Sequence, residues 1–238
     1  MSVKSGILLF ILSCFAYPAT AQLSILPVFG GRPIVENTWY VSTKGDSVQF
    51  DNIRFYLSDI QFEMDDKTWI KDTVSAHLID VFDPATLHII TQKIDLKLLK
   101  TIHFNLGIDS LTNVSGALGG DLDPQKGMYW AWQSGYINLK IEGRSPQCKS
   151  RKNVFQYHIG GYLQPFSSMR KIELPVKNTI ANRNQEAIRK GLVLTFDFSV
   201  FFGKLSIATQ KNTMMPGKEA MQLADYSTSM FSIYALEN

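Results

Sequence analysis

The sequence is poor in the residues that bind metals and cross-link chains. It has two cysteines, Cys14 and Cys148, and four histidines in 238 residues. There is no Cys-x-x-Cys pair, which excludes a zinc ribbon and a covalently attached c-type haem. No two histidines stand at His-x-His or His-Glu-x-x-His spacing, so any metal site has to be assembled from separate strands. The Gly-x-Ser-x-Gly elbow, the P-loop and a Gly-x-Gly-x-x-Gly turn after a strand are missing too, and nothing singles out a catalytic pair of carboxylates. No catalysis is therefore expected. The formal charge is only +3, too little to argue for nucleic acid or an anionic membrane.

What remains is ordinary globular composition, 45% hydrophobic, 12% aromatic and 19% charged, enough to bury a core without covalent staples. Residues 1–21 read as a secretory signal peptide. Lys4 supplies the positive start, Gly6–Tyr17 a short apolar stretch, and Ala19-Thr20-Ala21 the small residues for cleavage before Gln22. The expected location is periplasmic or secreted. The rival is an outer-membrane lipoprotein anchored through Cys14, but Phe15-Ala16-Tyr17 continues the apolar run past that cysteine. Cleavage after Ala21 leaves Cys148 alone, which rules out an intramolecular disulfide. Its setting, Gly143–Asn153 (GRSPQCKSRKN), reads as a polar loop with an exposed thiol. No later segment is long and apolar enough to be transmembrane.

Short alternating runs separated by turn residues dominate the rest. Leu23–Phe29 reads as an edge strand, because Pro27 cannot donate to a ladder. Asn52–Ser58 alternates Ile53, Phe55 and Leu57 against a polar set, and Asp59–Met64 continues it. Val74–Phe82, Thr101–Ile108, Arg170–Lys177 and Leu192–Phe202 read as further strands. Asn182–Lys190 and Ala220–Leu236 read as helical. With no repeat and no linker, residues 22–238 form one expected domain. It is all-β: an antiparallel β-sandwich, immunoglobulin-like, with long loops and a short C-terminal helical segment.

Three groups could carry function. In Gly127–Gly143 (GMYWAWQSGYINLKIEG), Met128, Trp130 and Trp132 share one strand face, and a bulge at Ser134-Gly135 inverts the alternation. Core filling and a functional site both explain those indoles. His158, in Tyr157-His158-Ile159-Gly160-Gly161, points away from the core face. His77, His88 and His103 are scattered, and each alone is explained by a hydrogen bond or exposure. The loop Gly107–Lys126 offers Asp109, Asn113, Asp121 and Asp123 as oxygen donors for calcium, although Asx-turns explain the same residues. From the residues alone the chain is an exported all-β protein with an aromatic site.

The run Leu106-Gly107-Ile108-Asp109 … Asn113 … Ser115-Gly116-Ala117-Leu118 … Leu122-Asp123-Pro124 … Gly127-Met128-Tyr129-Trp130-Ala131-Trp132-Gln133-Ser134-Gly135-Tyr136 resembles the MbnP-like family, secreted bacterial proteins named for a methanobactin-associated copper-binding protein. Phe55–Ile60, His77–Asp80, Tyr157–Gly161 and Val193–Phe202 resemble its other strands. The resemblance implies an extracytoplasmic copper-binding protein in which a tryptophan, oxidised to kynurenine by a partner di-haem c-type peroxidase-like protein, binds copper together with histidine. By position, Trp130 or Trp132 is the modified residue and His158 a ligand, with His77 and His88 as candidates for a second imidazole. Intact indole is a poor ligand, whereas a ring-opened amine beside imidazole suits copper. The alternative is a non-enzymatic extracellular binding module for carbohydrate or protein, keeping the fold without the metal and using the exposed aromatics.

Overall fold

The computed structural model describes residues 22–92, 94–96, 98–132, 135–176 and 191–235. The expected signal segment with Cys14, and the expected helix at Asn182–Lys190, lie outside them. The strands are β1 (Gln22–Phe29), β2 (Arg32–Pro33), β3 (Trp39–Val41), β4 (Ser47–Met64), β5 (Trp69–Lys71), β6 (Ala76–Asp80), β7 (His88–Ile90), β8 (Leu99–Leu106), β9 (Tyr129–Trp130), β10 (Gly135–Arg144), β11 (Val154–Gly160), β12 (Arg170–Pro175), β13 (Leu192–Asp197), β14 (Asn212–Thr213) and β15 (Phe231–Ala235). The helices are α1 (Ser110–Val114), α2 (Phe198–Lys204) and α3 (Lys218–Ser227). Among the described residues no helix is long and apolar enough to cross a membrane.

Two sheets form the expected sandwich. The larger follows the path β12-β8-β4-β10-β11-β14, with β3, β5 and β6 also paired to β4 and β9 to β10. The smaller runs β15-β13-β1-β2, with β7 on β1. The main core lies between them: Ile53, Phe55 and Leu57 of β4, Ile102 and Phe104 of β8 and Leu139 and Ile141 of β10 meet Leu23, Ile25, Leu194 and Phe196 of the smaller sheet. Full burial of such a side chain contributes about 1.5–3 kcal/mol. Aromatic rings fill the middle. Phe196 stacks on Phe231 at 4.3 Å, and Phe50 meets Phe202 edge-on at 5.5 Å.

Strand β4 is 18 residues long and organises the larger sheet. One edge takes β3, β6 and β5 in succession. The other takes β10 along Gln49–Phe55 and β8 along Leu57–Met64. The fork between β10 and β8 is pinned by hydrogen bonds. Gly107 donates its N–H to the Tyr56 carbonyl at 2.8 Å, and the Ser58 hydroxyl donates to the Gly107 carbonyl at 2.6 Å. The buried Asn138 amide accepts from the Ile108 N–H at 2.9 Å and donates to the Ser168 hydroxyl at 2.9 Å.

Several sequence expectations change. The sandwich is not wholly antiparallel: β1 pairs β13 in parallel, and β11 pairs β14 in parallel. A parallel pair needs a long connection, and nearly the whole chain supplies it for β1 and β13. Strand β1 is not an edge either. Pro27 sits opposite Ile34, from whose N–H its carbonyl accepts at 3.1 Å. Its missing donor thus falls where β2 ends, beyond the Gln22–Ser24 stretch that pairs β7. The stretch Leu192–Phe202 is a strand only to Asp197. There the carboxylate accepts from the Ser199 N–H at 2.9 Å and starts α2, as an N-cap does. The C-terminal stretch is α3 followed by strand β15. Cys148 is not exposed; it is wholly buried in the main core, its thiol 3.1 Å from the Val154 carbonyl.

Gly107 has φ +105, and a Cβ there would lie 2.3 Å from Cγ of Asn138. Gly107→Ala combines a disfavoured backbone with a clash against a hydrogen-bonded amide. It should cost about 3 kcal/mol or more, read as a fall in the urea midpoint. Asn138→Ala, which orphans the Ile108 N–H, should cost about 1–3 kcal/mol.

Candidate metal centre

Part of the outer face of the larger sheet is covered. Residues Gly107–Lys126 fold over it as α1 and two 3-10 turns, Gly120–Leu122 and Pro124–Lys126. The β9–β10 hairpin completes the cover. Tyr56, Leu78, Ile108, Leu122, Met128, Trp130, Tyr136 and Ile137 make a second, smaller core there. Tyr136 anchors it. Its hydroxyl donates to the Leu122 carbonyl and accepts from the Leu118 N–H, both at 3.0 Å. Its ring meets Tyr56 and Tyr129 edge-on at 5.8 and 5.0 Å. Burial pushes the Tyr56 phenol well above its ordinary pKa, with Tyr136 and Asp121 adding to it.

The two central tryptophans are not on one strand face. Strand β9 ends at Trp130, which pairs with Gly135, and Ala131 and Trp132 lie in the intervening turn. The change of alternation that reads as a bulge is a hairpin. Trp130 is 7% exposed and Trp132 is 62% exposed, with their ring centroids 5.5 Å apart. Trp130 lies against β11: a Cβ on Gly160 would come within 2.6 and 2.9 Å of its Cζ3 and Cη2. Gly160 leaves room for the six-membered end of the indole.

His158 is two residues before Gly160 and on the same face of β11, roughly 7 Å along the strand. It is 7% exposed. Its Nε2 is 2.8 Å from Oε1 of Glu142 on the neighbouring strand. The Glu142 carboxylate also accepts from the Asn52 amide at 3.1 Å and the Gln156 amide at 3.3 Å. The His158 hydrogen bond lowers its pKa from 4.5 to about 2, against the opposing effect of burial and helped by Lys140. An ionised carboxylate only accepts, so Nε2 carries a proton and Nδ1 is the nitrogen of neutral imidazole left with a lone pair. Glu142 was not among the residues singled out in the sequence. The polar alternation Lys140, Glu142 opposite Gln156, His158 holds the signal, but needs the strand register to be read.

The other candidates go elsewhere. His77 lies directly opposite Leu57, on the face of β4 and β6 turned to the main core, whereas His158 stands with Lys140 and Arg54 on the outer face. His77 Nε2 is 2.6 Å from the buried Asp72 carboxylate. His88 belongs to the smaller sheet, opposite Ser24, with Nδ1 3.2 Å from that hydroxyl. Neither joins His158. Among the described residues no three His, Cys, Asp or Glu side chains converge as a metal would require.

The four calcium candidates are structural. Asp109 caps α1, accepting from the N–H and hydroxyl of Thr112 at 2.9 and 2.8 Å. Burial pushes its pKa up, and the Thr112 bonds outweigh it to give a net lowering. Asn113 donates to the Ile108 and Asp109 carbonyls and accepts from the Tyr136 N–H at 2.8 Å. Asp121 accepts from the Leu78 N–H at 3.0 Å and pairs with Lys126 at 2.6 Å. Asp123 caps the turn at Gln125. These oxygens are spread over backbone donors and an ammonium rather than aimed at one point.

Because Glu142 is depressed in the folded state, its contribution to stability is complete above pH about 4.5 and is lost as pH falls toward 2. Glu142→Gln should cost about 2 kcal/mol at pH 7 and flatten the acid limb of a stability-versus-pH curve from denaturant unfolding. Gly160→Ala should push Trp130 off β11, read as a red shift in tryptophan emission with Trp132→Phe as the background.

The comparisons agree with this architecture. No curated protein matches the chain. Among solved structures, "MbnP from Methylosinus trichosporium" superposes with a TM-score of 0.61 over 92% of this chain and 99% of its own, at 13% identity. That identity speaks for the fold alone. The family model named MbnP matches residues 18–216, taking in the capping loop, the tryptophan hairpin and the His158 strand. With most of its length inside that match, the chain belongs to the MbnP family.

Proposed function

We infer that the chain is an extracytoplasmic copper-binding protein whose site lies where Trp130 meets β11. One observation supports the reading: the buried Trp130 ring lies against Gly160, on the strand face that also carries His158 two residues away, and Glu142 holds His158 through Nε2, which leaves Nδ1 as the nitrogen to bind. A carboxylate holding one imidazole nitrogen while the other serves as ligand is a recurrent arrangement at metal sites. The donor set fits copper in part. His158 is the one imidazole on the Trp130 side of β11 among the described residues, and the second donor has to be made from the indole.

Of the two tryptophans, Trp130 is the one that suits conversion to kynurenine. Its ring lies on the face that carries His158, while Trp132 stands in the turn. Conversion cleaves the C2–C3 bond of the five-membered ring, adds two oxygen atoms from two peroxides that leave as water, and releases C2 as formate on hydrolysis. The six-membered ring survives, and that is the ring seated on Gly160. A di-haem c-type peroxidase-like partner fits as the source of oxidising equivalents. Copper, once bound, would make the protein a carrier or store; the chain's own residues orient the imidazole, seat the aromatic ring and exclude water.

The reading makes affinity depend on the modification. Unmodified protein should take up copper weakly, and protein treated with the peroxidase partner and peroxide should take it up at least tenfold more tightly, measured by competition with a chromophoric chelator. Peptide mass spectrometry should find the ring-opened residue at Trp130. Trp130→Phe and His158→Ala should each abolish the gain, while Trp132→Phe should retain metal binding once residue 130 is converted. Modification at Trp132 alone, or tight copper binding by Trp130→Phe, would refute it.

A further inference from the structure

A second concave site lies on the same outer face but at the far end of β4, and nothing in the copper reading uses it. It is a cleft of about 190 Å³ lined by Asp59, Gln61, Trp69, His103, Asn105 and Lys171, with Glu173 at its rim. Its concavity has a backbone cause. The β4–β8 register slips between Ser58 and Gln61, and Asp59 takes φ +50, an unusual conformation for a residue with a side chain. Bulges of this kind re-aim side chains and concentrate beside binding sites. Trp69 stays 52% exposed, yet its ring is backed by His103 at 4.8 Å. Both nitrogens of the His103 ring stand 3.6 Å from a carboxylate oxygen, the buried Nε2 from Glu63 and Nδ1 from Glu173, beyond hydrogen-bond distance.

We propose that this cleft binds a neutral saccharide, with the Trp69 ring as the stacking platform and His103, Gln61 and Asn105 as the polar contacts. Charge selects the ligand class. The carboxylates of Asp59, Glu63 and Glu173 are matched by Lys71, Lys100 and Lys171 in or beside the cleft, with Lys71–Asp59 at 2.6 Å and Lys100–Glu63 at 2.5 Å. A charged ligand finds no excess of opposite charge, while a hydroxyl-rich neutral one finds donors and acceptors of both kinds. A hydroxyl donates and accepts at once, so it can bridge Nδ1 of His103 and the Glu173 carboxylate, which stand 3.6 Å apart. The C–H face of a sugar ring buries apolar surface against an aromatic whose edge stays wet. The site is independent of copper and of the state of Trp130.

The test is titration of the full chain with maltotriose, cellotriose and chitotriose, read by tryptophan emission and by isothermal calorimetry. At least one trisaccharide should bind with Kd of about 0.1–5 mM, a few kcal/mol of affinity. Trp69→Ala should abolish that binding, with Trp69→Phe as the second variant should the first fail to fold. His103→Ala should weaken it about tenfold or more, and Trp132→Phe should leave it unchanged. Absence of saturable binding by all three sugars, binding retained in Trp69→Ala or Trp69→Phe with equal strength, or tighter binding of tetramethylammonium than of any sugar would each overturn the proposal.

Discussion

The hydrogen bonding of β4 along both edges is the constraint on which the rest depends. An 18-residue strand offers more ladder than any single neighbour can satisfy, and unpaired backbone groups in a buried sheet are costly. The chain meets this by sharing each edge among several shorter strands. The difficult point is the fork, where β10 stops and β8 begins. Gly107, Asn138 and Ser58 settle it by turning a gap in the ladder into a set of side-chain and backbone hydrogen bonds. The bulge at Asp59, just past the fork, is part of the same adjustment.

The fork also explains why the capping loop sits where it does. The chain leaves β8 at Gly107 already above the outer face, and Asn113 ties α1 back to the start of β10 through the Tyr136 N–H. Tyr56 and Leu78 then have a lid. Without it, β4 would expose on one face what it buries on the other. The acidic residues of this loop act as caps that give a 20-residue connection its shape, and the outer core they fold over holds Trp130 against β11. Fold and candidate site are therefore coupled through the same segment: disturbing the caps should disturb the indole.

Much of this was legible in the sequence. The alternation in Asn52–Met64 marks β4, and the motif around Trp130 marks the family. What was hidden depends on pairs of residues far apart in the chain. Pro27 argued for an edge because strand-by-strand reading cannot show that Ile34 sits opposite it. Trp130 and Trp132 looked equivalent because period-two spacing does not distinguish a strand from a strand entering a turn. Cys148 looked exposed among polar neighbours, yet its buried thiol sits beside the Val154 carbonyl. Glu142 was invisible as a partner of His158 until the β10–β11 register was known. His77 and His88 were plausible companions only while faces and sheets were unassigned.

The parallel pairing of β1 with β13 has a bearing on when the protein can finish folding. Leu23 meets Leu192, so about 170 residues must be made before the first strand finds its main neighbour. The smaller sheet, and with it half the walls of the main core, is closed by the last part to be synthesised. Long-range pairings of this kind slow folding. The order of the strands thus sets the order of closure: the first strand waits for a partner from the far end of the chain, and the two sheets can enclose the main core only when that partner is present.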